Sequence, residues 1–371
     1  MKRWLLRLHR WSGLLIGGVV LVVGVTGALT AYQSEIDGWL NSDLLRVEPR
    51  LGPEALPLDA VVAAAESAWP GLRATSVRLP QAADQSVEVS VAPPGAQDFA
   101  GHHVYVDGAR GEVLGSRPFD PDPWSRRGIV ASLYEVHYSL AASRAGVWLV
   151  SVVAVIWLVV TLLGLVLAWP RSAGDFARAW RVRTAVGVAP LAHDVHRLTG
   201  LLIAPVMFVV VATGVALNLS PQATGLLQRI SPLTFEPALP AHTTAPAATV
   251  VGWQAALDAT RAMEPAAQSY SVYLDAPRGV YVARLREPGS IHRRGQTRVY
   301  VDATDARVLA IWNPREGSSG DRTWAWQNPL HSGHAFGTPG RAFVFLSGIA
   351  AVLFVMTGVP LWLARRPARK R

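Results

Sequence analysis

Four histidines stand where this chain repeats itself. It reads "LHRWSGLLIGG" around His9 and "VHRLTGLLIAP" around His196. His137, in "EVHYSL", and His331, in "PLHSGH", each lie nine residues before a matched glycine, Gly146 and Gly340. A neutral imidazole is a proton carrier or a metal ligand. His9 and His196 are each followed at i+4 by glycine, Gly13 and Gly200, on the same helix face. A glycine there leaves room for a flat ring beside the imidazole. The plain alternative is helix packing through small residues, with histidine as a polar anchor. Repetition favours the ligand reading, because two related helices can turn two histidines towards one another. Two such pairs, His9 with His196 and His137 with His331, at two depths, suggest two non-covalent b-type haems.

Such pairs need helices to carry them. Four apolar blocks, about 11–32, 146–169, 198–219 and 342–363, are each long enough to cross a hydrocarbon core of ~30 Å as a helix. In lipid the backbone must satisfy its own hydrogen bonds, which makes helix the default. The first block is too long, and lacks a small-residue cleavage site, to be a removable signal peptide. The matches run on down the helices. His9, Gly13 and Gly27 recur as His196, Gly200 and Gly214, and His137, Gly146 and Gly164 recur as His331, Gly340 and Gly358. The expected fold is an α-helical membrane protein with four transmembrane helices in a tandem parallel repeat, carrying two small α+β domains on one side.

Charge sets the orientation. The first ten residues, the 170–197 connection and the ending "ARRPARKR" carry 14 basic against 2 acidic residues, a net +12, while the whole chain is +9. The basic excess is a topology signal rather than a nucleic-acid patch. It places both termini and that connection in the cytoplasm. There is no cysteine, so disulfides, thiolate clusters and C-x-x-C-H haem attachment are excluded.

The remaining segments read as small α+β. "DAVVAAAESAW" and "WQAALDATRAM" look like amphipathic helices. "SVEVSVAP", "HHVYVD", "SYSVYLD", "GVYVARL" and "TRVYVD" alternate as half-buried strands. "VDGARGEVL" reads as a hairpin turning at Asp-Gly, and 237–250 as a linker. The expected organisation is helix 1 over 1–32, an outer domain over 33–125 and a second helix with an outer extension over 126–170. A loop over 171–195, the third helix over 196–219 and the second outer domain over 220–322 follow. The fourth helix with its extension covers 323–364, before a tail over 365–371.

Other residues carry weaker signals. His193 and His334 lack counterparts in the other half and could orient a ligand, meet a haem propionate or be solvated. His102 and His103 open a strand, and His242 and His292 read as loop residues. "PWSRRG" and "DRTWAWQNP" precede the two outer histidines in matching places. They offer Trp124, Arg126, Arg127, Arg322, Trp324 and Trp326 to an anionic chelate, to haem propionates or to an interfacial aromatic belt. Trp157, Met207 and Met356 sit at mid-helix, where they shorten the gap between the pairs or simply pack.

The histidine motifs, "HRWSG", "EVHYSL", "HDVHRLTGLL" and "PLHSGHAFG", resemble the PepSY-associated transmembrane family. The resemblance covers essentially the whole chain, with the outer segments matching loosely. Better understood members are inner-membrane ferric-siderophore reductases. The resemblance implies a four-helix core in the inner membrane, two periplasmic PepSY-like domains and haem b. It implies reduction of a ferric siderophore by electrons from a cytoplasmic or membrane donor, with His9, His137, His196 and His331 as iron ligands. "HSGH" places His334 beside His331 as a rival ligand.

Three other functions fit the same residues. A haem electron-transfer subunit for a different partner would share every ligand, and the chain has no G-x-G-x-x-G loop for a nucleotide donor. A non-haem metal transporter would require acidic residues in the spans, and only Glu35 and Asp37 approach one. A periplasmic binding or regulatory protein without redox activity would leave the histidines unpaired.

Overall fold

The computed structural model describes residues 2–49, 56–95, 100–170, 172–184, 187–235, 237, 239 and 250–364. The tail 365–371, Arg171 and nearly all of the expected linker, including His242, lie outside the described residues. The chain forms two compact units. The first comprises Met1–Gln33, Ala131–Leu226 and Trp326–Arg371, and the second Ser34–Val130 and Leu227–Ala325.

The first unit is a helical bundle. Its helices are α1 (Lys2–Thr30), α2 (Ile129–Ser139), α3 (Ser143–Ala168), α4 (Val188–Asn218), α5 (Gln327–Ser332) and α6 (Gly337–Leu363). The four long ones, α1, α3, α4 and α6, are long and apolar enough to cross a membrane. Even the 26-residue α3 spans ~39 Å at 1.5 Å per residue. Helices α1 and α4 each pack against both α3 and α6, so α1 and α4 occupy opposite corners. Ile16, Val20, Val153, Met207, Val211, Ala350 and Ala351 fill the middle. Large apolar side chains such as Leu15, Val159, Leu202 and Phe343 stay exposed, as lipid-facing positions do.

Small residues set the close approaches. A Cβ on Gly24 of α1 would lie 2.6 Å from that of Ala351 on α6, and one on Gly348 would lie 2.5 Å from the Gly24 carbonyl. The third spanning helix begins at Val188, eight residues before the expected start, because Pro190 falls in the first turn, where its missing N–H costs nothing. That shift brings Asp194 into the helix. It is 1% exposed and held by both arms of Arg183, at 2.7 and 3.1 Å.

The extension before the second span is a separate helix, α2. The chain breaks at Leu140 and Ala141, with φ of 53° and 54°, and then re-enters helix as α3. Gly146 is where α3 returns against the Ser139 carbonyl, and Gly340 meets the Gly333 carbonyl in the same way. A side chain at either glycine would collide with backbone.

The second unit departs from the expected two domains. Its strands form one antiparallel eight-stranded sheet in the order β4-β3-β2-β1-β5-β6-β7-β8. They are β1 (Arg73–Arg78), β2 (Val87–Ala92), β3 (His102–Val106), β4 (Val113–Pro118), β5 (Gln268–Asp275), β6 (Val280–Arg286), β7 (Thr297–Asp302) and β8 (Val308–Trp312). The β1–β5 pair joins the two four-stranded halves, with Val77 opposite Val272. The expected helices, Leu58–Ala68 and Trp253–Met263, cover one face together. Val61, Ala65, Val77, Val89, Val104, Ala256, Leu257, Val272 and Val299 belong to one shared core. Each fully buried valine or leucine contributes about 1.5–3 kcal/mol, and neither half encloses that core alone. The hairpin expected at Asp107 forms, but with a longer turn: Asp107 accepts from the Ala109 and Arg110 amides, and Gly111 takes the left-handed conformation at φ 69°.

Candidate functional site

The bundle brings the four histidines together in two pairs. His9 on α1 and His196 on α4 have ring centroids 6.2 Å apart, with planes at 90°. His137 on α2 and His331 on α5 have centroids 6.1 Å apart, with planes at 43°. His9 and the Gly27 that His137 touches lie 18 residues apart on α1, so the pairs are separated by roughly 27 Å along the bundle.

Each imidazole lies against a glycine on another helix. A Cβ on Gly27 would lie 2.7 Å from His137 Cε1, and one on Gly214 would lie 2.9 Å from His331 Cε1. The corresponding distances are 3.1 Å from Gly164 to His9 and 3.7 Å from Gly358 to His196. All four glycines belong to the repeated set in the sequence. Gly13 and Gly200, expected to flank a bound ring, have open flanks: among the described residues Gly13 meets nothing within 4 Å, and Gly200 meets only the Phe354 ring at 4.0 Å.

Each ring also has a fixed hydrogen bond. Nδ1 of His9 donates to the Val160 carbonyl at 3.0 Å, that of His137 to Val23 at 3.1 Å and that of His331 to Val210 at 2.8 Å. A carbonyl only accepts, so these rings carry their proton on Nδ1 and keep a lone pair on Nε2. Nδ1 of His196 lies 2.8 Å from Thr357 Oγ1, whose own proton goes to the Leu353 carbonyl at 2.6 Å. The hydroxyl therefore accepts from His196, with the same result. Thr26 and Thr213 stand 3.4 Å from Nδ1 of His137 and His331. This is the anchoring that metal-bound histidines receive from the groups around them.

The pair spacing suits a shared metal. Two imidazoles binding one metal through Nε2, each bond about 2.0–2.1 Å, put their centroids roughly 6 Å apart. Among the described residues no group of three or more histidine or carboxylate side chains gathers, so each pair offers two imidazoles and no chelating cage. A metal shared by such a pair would need its remaining bonds from another group.

The other expected residues fall elsewhere. His334 bonds Ser332 at 2.9 Å, and His193 lies 3.4 Å from Asp194, so His331 and His196 alone enter the pairs. Met207 is 2% exposed, Trp157 packs against the central cluster, and Met356 is 65% exposed. Arg126 bonds Asp43 at 2.8 Å, Arg127 bonds Asp43 and Asn41, and Arg322 bonds the Gly317 carbonyl. The guanidinium of Arg127 holds the Asp43 carboxyl below the usual carboxylate range. Trp124 is 87% exposed, Trp324 meets Phe235, and Trp326 is 40% exposed. None of these contacts, among the described residues, joins the first group to the second.

Sequence reasoning missed the threonines and Phe354. Phe354 packs on His196 with centroids 5.2 Å apart. The readable signal was a dipeptide: Thr26-Gly27, Thr213-Gly214 and Thr357-Gly358 each set one threonine and one glycine beside one imidazole.

The model of one protein family, the PepSY-associated TM region, matches residues 6–365. No curated protein matches the chain.

Proposed function

We propose a function from one premise: the chain belongs to the PepSY-associated transmembrane family, whose model covers nearly all of it. It is a haem b-containing reductase of the bacterial inner membrane, two haems per chain, which passes electrons across the bilayer to a ferric siderophore and releases ferrous iron. The single observation that carries this reading is the pair of imidazole pairs, 6.2 and 6.1 Å apart, with their Nδ1 atoms anchored.

The chain's own residues do three things. His9, His196, His137 and His331 bring their imidazoles together in two pairs, each ring with its Nε2 lone pair free of the Nδ1 hydrogen bond. Val160, Thr357, Val23 and Val210 fix the tautomer that makes this possible. The apolar middle of the bundle, with Ile16, Val20 and Met207, excludes water between the pairs. Haem b bound at each pair supplies one-electron iron chemistry. The substrate reaction needs no more: Fe(III) takes one electron, and the hard oxygen donors of a siderophore hold the resulting Fe(II) far less well.

Orientation follows the basic segments, with the His9/His196 end in the cytoplasm and the sheet unit in the periplasm. The two halves are read as a parallel tandem repeat. The electron donor is a cytoplasmic or membrane reductant.

The test uses detergent-purified protein reduced with dithionite and freed of excess reductant. A ferric hydroxamate chelate should return its visible spectrum to the oxidised form while an Fe(II)-specific dye traps about one ferrous iron per electron lost. A reduced spectrum that persists beside the chelate would reject the reductase. It would favour electron delivery to another partner.

A further inference from the structure

The face of the sheet turned away from its two helices has a charged row in each half, and only one of them is balanced. In the first half the cross-strand row is Ser90, His103 and Arg117 on β2, β3 and β4. Both arginines there, Arg117 and the neighbouring Arg78, have a carboxylate. Arg117 bonds Asp37 through both arms, at 3.1 and 3.3 Å. Glu88, 7% exposed, takes Arg78 at 2.7 Å and His103 at 3.3 Å.

In the second half, β6, β7 and β8 present Arg284 opposite Arg298 and Arg298 opposite Trp312. Val282 stands one place along the same face, paired with Tyr300. Neither arginine has a carboxylate partner among the described residues. Arg298 has one long bond to the Phe235 carbonyl, at 3.4 Å, and lies 5.2 Å over the Trp312 ring. Burial, then the charges of Arg298 and Arg294, push Arg284 below its ordinary pKa. Two further donors on this face lack partners among the described residues: the hydroxyl of Tyr300, a residue 0% exposed, and the buried Nε1 of Trp312. Two neighbouring cations in partial burial repel one another, and buried donors left without acceptors lose the hydrogen bonds they had in water. Such a face is stable when an anion supplies the acceptors.

We propose that Arg284 and Arg298, with the Tyr300 hydroxyl and Trp312 Nε1, form a binding site for a small oxyanion, a carboxylate or phosphate group. Paired guanidinium forks match the planar oxygens of such groups, and the site takes the place that Glu88 and Asp37 fill in the other half. It stands independently of any haem.

The test is calorimetric titration of the full-length, detergent-purified protein with inorganic phosphate and, separately, with citrate, at matched ionic strength. Saturable binding of either is expected, and the tighter of the two identifies phosphate or carboxylate as the ligand group. Arg284→Gln and Arg298→Gln should each weaken it at least tenfold, while Arg261→Gln, an exposed cation on the helix Trp253–Met263, should leave it unchanged. Ser271→Asp keeps both arginines and sets a carboxylate directly across from Arg284. It should weaken binding in a protein that still elutes as the wild type does. No saturable binding of either anion would overturn the proposal, as would Arg284→Gln and Ser271→Asp proteins that bind as tightly as wild type.

Discussion

The two histidine pairs are built to different tolerances. At the His137/His331 pair both rings bond a backbone carbonyl, both have a threonine 3.4 Å away, and both press on a glycine within 3 Å of where a Cβ would stand. At the His9/His196 pair only His9 bonds a carbonyl. His196 depends on the Thr357 hydroxyl, Phe354 packs on its ring, and the glycine opposite it sits at an ordinary contact distance of 3.7 Å. A carbonyl belongs to the helix and cannot turn away. A hydroxyl can rotate and can be lost by substitution. The first pair is fixed by main chain, the second in part by one side chain.

The largest effect that separates them is removal of a ligand. His137→Ala should lower bound haem from about two to about one per chain, with the His9/His196 signal retained, as haem extraction and low-temperature spectra will show. A smaller effect comes from the glycines. Gly27→Ala puts a methyl 2.7 Å from the His137 ring and should disturb that pair as overpacking does, by about 1–3 kcal/mol. Gly358→Ala, at 3.7 Å, should leave haem content and melting temperature near wild type. Equal damage from both would erase the contrast.

Thr357→Val leaves His196 Nδ1 without its acceptor, at a cost of about 1–3 kcal/mol, and should weaken haem at that pair about 10–100-fold. Thr26→Val should do far less, because the Val23 carbonyl still holds His137. Haem retention on dilution measures both. The smallest effect belongs to Arg126→Gln. It removes one exposed partner of Asp43 and leaves Arg127 in place, and exposed pairs contribute about 0–1 kcal/mol.

Much of this was legible in the sequence because repetition marks what must face what. The four histidines, the four apolar spans and the matched glycines were all on the page. The sequence could not say which glycine faces which histidine. Gly13 is close to His9 in sequence, but the glycine against His9 is Gly164, 155 residues away on a helix that only packing places there. The single sheet was hidden for a related reason. The strand β1, "RATSVR", carries too few apolar residues to be read as a strand, half-buried alternation in β5 reads alike whether the strand is an edge or joins two halves, and the pairing of Val77 with Val272 spans 195 residues. The start of the third helix was lost to Pro190, which reads as a breaker but here sits in a first turn. Arg126 and Arg127 read as candidates for an anionic ligand because Asp43, more than 80 residues earlier, gives no local sign of being their partner.

The most direct test of the central claim is haem per chain in the detergent-purified protein after growth with ample haem supply, read with the oxidised and reduced visible spectra. The account predicts a low-spin b-type spectrum, about two haems in the wild type and about one in both His9→Ala and His137→Ala. A folded wild-type protein without haem, or haem content unmoved by either substitution, would contradict it.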